Sequence, residues 1–161
     1  MVRKSIPNHI LLPQVLGLVA AGEHVKLRVK GRSMIPFLYG GRDEVVLSPF
    51  REEDLHAGMI VMAYLPAENR YVLHRIINRY AGQLTLMGDG NVKGVEYCNM
   101  DDVKAVVFNG VRNGKAVNFH APRWLVYARC WHVLMPVRRY LLRVFRLFEV
   151  PYCITEKLNS K

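Results

Sequence analysis

The stretch His24-Val25-Lys26-Leu27-Arg28-Val29-Lys30, running directly into Gly31-Arg32-Ser33-Met34-Ile35-Pro36, decides the reading of the fold. Val25, Leu27 and Val29 alternate with polar or charged neighbours. That is the period of a strand with one face in a core. Gly31 ends the strand, and Pro36 bars a new helix from starting early. A strand exit between glycine and proline presents Ser33 on a bent backbone, where a nucleophilic hydroxyl can be reached. A serine in such a place also serves simply to satisfy a turn. The turn alone does not choose between the two.

Further strands follow at regular spacing. They are expected at Glu44 to Leu47, Gly58 to Tyr64, Tyr71 to Ile77, Leu84 to Met87, Val103 to Phe108 and Ala116 to Phe119. Gly58 to Tyr64 is nearly all apolar, which suits a central strand. Asn109-Gly110 and Asn113-Gly114 read as hairpin turns. No long helix separates these strands, so the sequence predicts a mainly β domain of bent antiparallel sheets, a partly open barrel. Ahead of it, Pro7 to Ala21 carries Ile10, Leu11, Val15, Leu16, Leu18 and Val19 at helical spacing, with Gly22 as a C-cap. The expected division is an N-terminal amphipathic helix over 1–23, a β-rich domain over 24–121 and a helical C-terminal region over 122–161.

A chain of 161 residues, 51% hydrophobic and 22% charged, has the material for one packed domain. Its net charge of +10 favours polyanionic partners. Cys98, Cys130 and Cys153 form neither a metal pattern nor a disulfide framework. No cofactor or metal is called for. Arg3 and Lys4 precede no long apolar run, so no signal peptide is expected. No stretch is long and apolar enough for a spanning helix. The expected location is cytoplasmic or peripheral on a membrane.

Past Pro122 the chain combines aromatic and apolar residues with arginines, and no acid occurs before Glu149. Trp124, Trp131, Arg138 and Arg139 are the residues expected to face a membrane, as in a helix lying in an anionic interface. An ordinary docked helix with a solvated basic face is the alternative. Nucleic acid is not favoured, because no recognised binding module accompanies the arginines.

Two later features add chemistry to Ser33. His74 interrupts an apolar strand, and a neutral imidazole is suited to take a hydroxyl proton near neutral pH. Asp89, between Gly88 and Gly90, could orient that imidazole and stabilise it as it gains a proton. Each also has a plain structural reading, within a sheet and within a turn.

In order and context these motifs resemble those of signal peptidase I and the LexA-like serine peptidases. Gly-Arg-Ser33-Met-Ile-Pro is similar to the nucleophile motif Ser-Met-x-Pro. Gly41-Arg42-Asp43-Glu44-Val45-Val46 is similar to Gly-Asp-x-Val, with one extra residue. Gly58-Met59-Ile60-Val61 resembles Gly-Asp-Ile-Val. Leu73-His74-Arg75-Ile76 resembles the Val-His-Arg-Val of the endoplasmic-reticulum, archaeal and sporulation-type branch, where histidine replaces the lysine base. Met87-Gly88-Asp89-Gly90-Asn91 is similar to Lys-Gly-Asp-Asn-Asn. The resemblance spans about Val25 to Val107.

The resemblance implies a serine endopeptidase acting on extended, leader-bearing peptides or proteins. Ser33 would be the nucleophile and a backbone oxyanion donor, His74 the general base and Asp89 its support. Met34, Ile35 and Pro36 would line the substrate cleft. The second acid of the eukaryotic-type members has no direct counterpart; Glu96, at shifted spacing, is the one candidate. The competing expectation is an inactive β scaffold that binds peptide, anionic membrane or nucleic acid.

Overall fold

The computed structural model describes residues 8–148. Arg3, Lys4, Glu149, Cys153 and the rest of the expected C-terminal region past 148 lie outside that range. The chain runs α1 (Asn8–Ala20), β1 (Val25–Arg28), β2 (Asp43–Ser48), β3 (Ile60–Leu65), β4 (Arg70–Tyr80), β5 (Gln83–Met87), β6 (Glu96–Asn99), β7 (Val103–Arg112), β8 (Lys115–Asn118), α2 (Pro122–Val133) and α3 (Arg138–Phe148). The protein is mainly β, an antiparallel half-barrel with its strands in the order β1-β2-β7-β3-β4-β5-β6 and β8 paired to β7. The late strand β7 sits between β2 and β3 and joins the two halves of the sheet.

Burial explains why β3 is apolar throughout. Ile60 and Met62 face one core, which also holds Leu38, Val45, Leu47, Ala105 and Val107. Val61, Ala63 and Leu65 face a second, with Leu55, Ile76, Leu84, Leu86 and Val106. A strand covered on both faces has no reason to alternate. Helix α1 closes the first core with Leu12, Val15, Leu16 and Val19. It ends in a Schellman cap at Gly22 (φ 97°), where the Glu23 N–H donates to the Leu18 carbonyl (3.0 Å) and the Gly22 N–H to that of Val19 (2.9 Å).

One expected turn is not formed, and one strand was not expected. Asn113-Gly114 does turn β7 into β8, with φ of 50° and 76°. Asn109-Gly110 makes no turn; it lies inside β7. A side chain at Gly110 would meet the Glu44 carbonyl and come within 2.8 Å of the Phe119 ring, so this glycine is demanded by close packing. Strand β6 had no alternating apolar signal, because Glu96, Tyr97 and Asn99 leave only Cys98 fully buried.

The C-terminal helices dock on the β domain. Phe37 meets Phe119, Trp124 and Tyr127 at ring distances of 5.1, 5.2 and 5.1 Å. Trp131 and Arg138 are buried and Trp124 is half-buried, so these three do not face outward as expected for a membrane contact. Arg139 is exposed. No helix among the described residues is long and apolar enough to cross a membrane.

Candidate active site

The expected nucleophile loop is anchored at both ends. The Val29 N–H donates to the Asp43 carbonyl (3.0 Å), and the Gly41 N–H donates to that of Val29 (2.9 Å). Asp43, buried at the start of β2, accepts from Arg42 (2.7 and 2.8 Å), from the Tyr39 N–H (3.1 Å) and from Arg112 (3.3 and 3.1 Å). Burial alone would raise its pKa, but hydrogen bonds from Arg42, Tyr39 and Arg112 outweigh that and hold the carboxyl below its ordinary value. Arg112 also donates to the Phe37 carbonyl. Residues 29–43 are thereby tied to β7, and Ser33 is left half-buried at the rim of a cleft.

That cleft, of about 350 Å³, is the hollow of the half-barrel. Leu27, Val29 and Lys30 on and just past β1, Val45 on β2, Met62 on β3, Tyr71 to His74 on β4 and Glu96 on β6 contribute to it, together with Ser33 and Asn91. Leu11 and Leu12 of α1 complete its wall. The expected lining differs. Met34 turns inward to the first core, and Ile35 borders a small hollow beside Leu142 and Phe145 of α3. Pro36 is half-buried and does not line the cleft. The turn after Ser33 curls back into the domain, because Leu38 N–H donates to the Met34 carbonyl (2.9 Å).

His74 is buried in mid-β4, and its Nδ1 lies 3.0 Å from Glu96 Oε2. A carboxylate only accepts, so this bond places the ring proton on Nδ1 and the lone pair on Nε2. A Cβ placed on Gly88 would fall against the Ser33 carbonyl and lie 3.1 Å from His74 Nε2. The free imidazole nitrogen therefore points to the glycine that Ser33 also touches. Among the described residues no hydrogen bond yet joins the hydroxyl to the imidazole; such contacts commonly tighten only when substrate is bound. Burial lowers the His74 pKa, against the opposing pull of Glu96, and so favours the neutral base form.

Asp89 is not hydrogen-bonded to His74. It forms a buried, two-pronged ion pair with Arg75, Nε to Oδ1 at 2.9 Å and Nη2 to Oδ2 at 2.6 Å. Strand alternation explains the exchange of partners. Adjacent residues in β4 point to opposite faces, so Arg75 reaches Asp89 while His74 faces the cleft and Glu96. Arg75 also donates to the Gly58 carbonyl (2.7 Å), tying the turn before β3 to the turn after β5. Glu96 accepts a second, weaker contact from Arg70 (3.4 Å).

The Gly88–Asn91 turn touches the nucleophile loop directly. The Gly90 N–H donates to the Ser33 carbonyl (2.7 Å), and a side chain at Gly90 would lie 2.7 Å from the Arg32 carbonyl. Glycine is required here for contact between two backbones. A separate hollow of about 480 Å³ lies between β4 and α2, beside His56, Gly58, Leu125 and His132, away from Ser33. No cluster of metal-ligating side chains occurs among the described residues. Cys98 is buried and its thiol pushed up to about 11, so it is no nucleophile.

No model of a known protein family matches this chain, and no curated protein matches it significantly.

Proposed function

We propose that this protein is a serine endopeptidase of the signal-peptidase type, with Ser33 as nucleophile and His74 as general base. One observation carries the reading. His74 is fixed by Glu96 through Nδ1, and its unprotonated Nε2 faces the glycine that abuts Ser33, in a cleft lined by Ser33, His74 and Glu96. In the proposed reaction Ser33 Oγ attacks the scissile carbonyl and Nε2 takes its proton. Glu96 stabilises the resulting imidazolium. The tetrahedral oxyanion is received by the Ser33 N–H, and His74 returns the proton to the departing amine. Water, activated by the same imidazole, then hydrolyses the acyl ester and restores Ser33.

The cleft suits an extended peptide. Among the described residues β1 pairs with β2 on one side only, so its other edge offers main-chain hydrogen bonds leading toward Ser33. Leu11, Leu12, Val29, Val45 and Met62 supply apolar wall, which fits hydrophobic leader segments. A fluorophosphonate probe tests the assignment: wild-type protein should label at Ser33, and Ser33→Ala and His74→Ala should not. Proteome-wide comparison of new N-termini between wild-type and Ser33→Ala cells identifies the substrates.

A second reading has its own support. Tyr140, Val144, Phe145 and Leu147 are exposed on α3 alongside Arg139, Arg143 and Arg146. That face suits docking on an anionic membrane surface, peripheral to the bilayer. Flotation with phosphatidylserine vesicles, comparing wild type with Arg139→Glu/Arg143→Glu, tests it. Equal flotation of both would remove the membrane reading.

A further inference from the structure

The turn carrying Asp89 is gripped from its far side by the two C-terminal helices. Trp131, near the end of α2, is buried and donates its indole N–H to the Asp89 carbonyl (3.0 Å). Arg138, which opens α3, donates to the Trp131 carbonyl (3.0 Å) and, more weakly, to the Asn91 carbonyl and Met87 Sδ (both 3.4 Å). Its guanidinium lies 5.2 Å from the Trp131 ring centre, and Tyr127 stacks on the other part of that indole at 5.9 Å. The indole and guanidinium thus hold both flanks of residues 87–91. The same turn binds the Ser33 carbonyl through the Gly90 N–H and abuts His74 Nε2 at Gly88.

Docking a helix does not require this chemistry. Arg138 is 3% exposed, and among the described residues it meets no carboxylate at ion-pair distance and its Nε has no partner. Burying such a charge is costly, and an apolar side chain of similar volume would dock α3 as well or better. What an apolar residue cannot do is donate at once to the Trp131 carbonyl on α2 and to the Asn91 carbonyl and Met87 Sδ on the two flanks of the turn.

We propose that Trp131 and Arg138 are positioning residues of the Ser33–His74 site. They hold the Gly88–Asn91 turn at the height that brings the Ser33 loop into register with the imidazole. The C-terminal helices are then part of the catalytic machinery rather than an appendage to it. This rests on the peptidase reading of the same site.

The test uses full-length Trp131→Phe, which keeps a ring but no N–H, Arg138→Met, which keeps the stem but no donors, and Arg138→Lys. Leu84→Ala, in the second core, is the control for stability alone. The rate of Ser33 labelling by a fluorophosphonate is divided by the folded fraction from circular dichroism, so a partly unfolded variant is still informative. The His74 imidazole is followed by NMR.

Trp131→Phe and Arg138→Met should label at least tenfold more slowly per folded molecule and should displace the His74 signals, with Arg138→Lys recovering part of the rate. Leu84→Ala should melt earlier yet label at the wild-type rate. Wild-type rates per folded molecule with unmoved His74 signals in both positional variants would overturn the proposal. An equal slowing in Leu84→Ala would overturn it too. If wild-type protein itself does not label while Trp131→Phe still displaces His74, the peptidase reading fails and the clamp survives.

Discussion

His74 and Glu96 are joined at 3.0 Å across the cleft, although β4 and β6 are not neighbours in the sheet. β5 lies between them, so the contact arches over a strand and depends on the curvature of the half-barrel. Removing the carboxylate while keeping the shape, as in Glu96→Gln, should leave the fold intact. It should slow Ser33 labelling by about 10² to 10⁴, the usual worth of oriented proton transfer. Labelling kinetics on the purified protein measure this. A wild-type rate in Glu96→Gln would remove Glu96 from the mechanism.

Buried His74 is held below its ordinary pKa of 6.5, chiefly by desolvation. Only the neutral ring accepts a proton, so labelling should persist below pH 6.5 and fall off only at a more acidic midpoint. Stability has the same sign. Between the unfolded value and the lower folded value, the unfolded chain binds the proton more readily, so acidification through that window weakens the fold. Above pH 6.5 the His74 contribution is flat. Parallel pH series of labelling and urea unfolding check both limbs; an activity midpoint above 6.5 would contradict the assignment.

Asp89 and Arg75 form a buried pair, each side chain less than a tenth exposed. Asp89→Asn leaves the guanidinium without its counter-charge and should cost about 3 to 5 kcal/mol of stability, the usual price of breaking a buried pair. Asp89 makes no hydrogen bond to His74 and its charge is the weakest of the influences on the imidazole, raising its pKa, so the midpoint of the labelling pH profile should move only slightly, and downward, in the folded fraction. Denaturant titration combined with that profile separates Asp89 from Glu96, for which the loss should be catalytic.

Gly88→Ala places a methyl against the Ser33 carbonyl and 3.1 Å from His74 Nε2. Backbone on one side and a packed ring on the other leave little room to yield. A displacement of about 1 Å can cost about 10²-fold in rate, and a loss of that order is expected in labelling. Gly82→Ala, at the β4–β5 turn with open space around it, should strain its local backbone and leave labelling unchanged.

Most strands were legible from local pattern, since alternation in β1 and a continuous apolar run in β3 follow from one-sided and two-sided burial. β6 was not legible, because its residues meet the core at a single cysteine. Asn109-Gly110 misled for a related reason: the dipeptide is a turn former, but here close packing against Glu44 and Phe119 sets its conformation. Within the candidate site, Ser33 and His74 are identifiable by type and context, and Glu96 only as a substitute, at shifted spacing, for an acid that the resemblance implies. The contact with His74 expected of Asp89 is made instead by Glu96, since side-chain alternation separates His74 from Arg75 and only pairing across β5 shows which acid each can reach.

Residue order alone carried most of the strands, the turns at Gly22 and Gly114 and the types of the chemical groups, because those depend on neighbours a few positions apart. It did not carry the inward course of Trp131 and Arg138, which read as interfacial residues from composition. Nor did it carry the roles of Leu11 and Leu12 as cleft wall. Those properties arise from contacts between segments distant in sequence, 42 residues for Trp131 with Asp89 and 47 for Arg138 with Asn91, where burial and hydrogen-bond geometry, not local propensity, set the outcome.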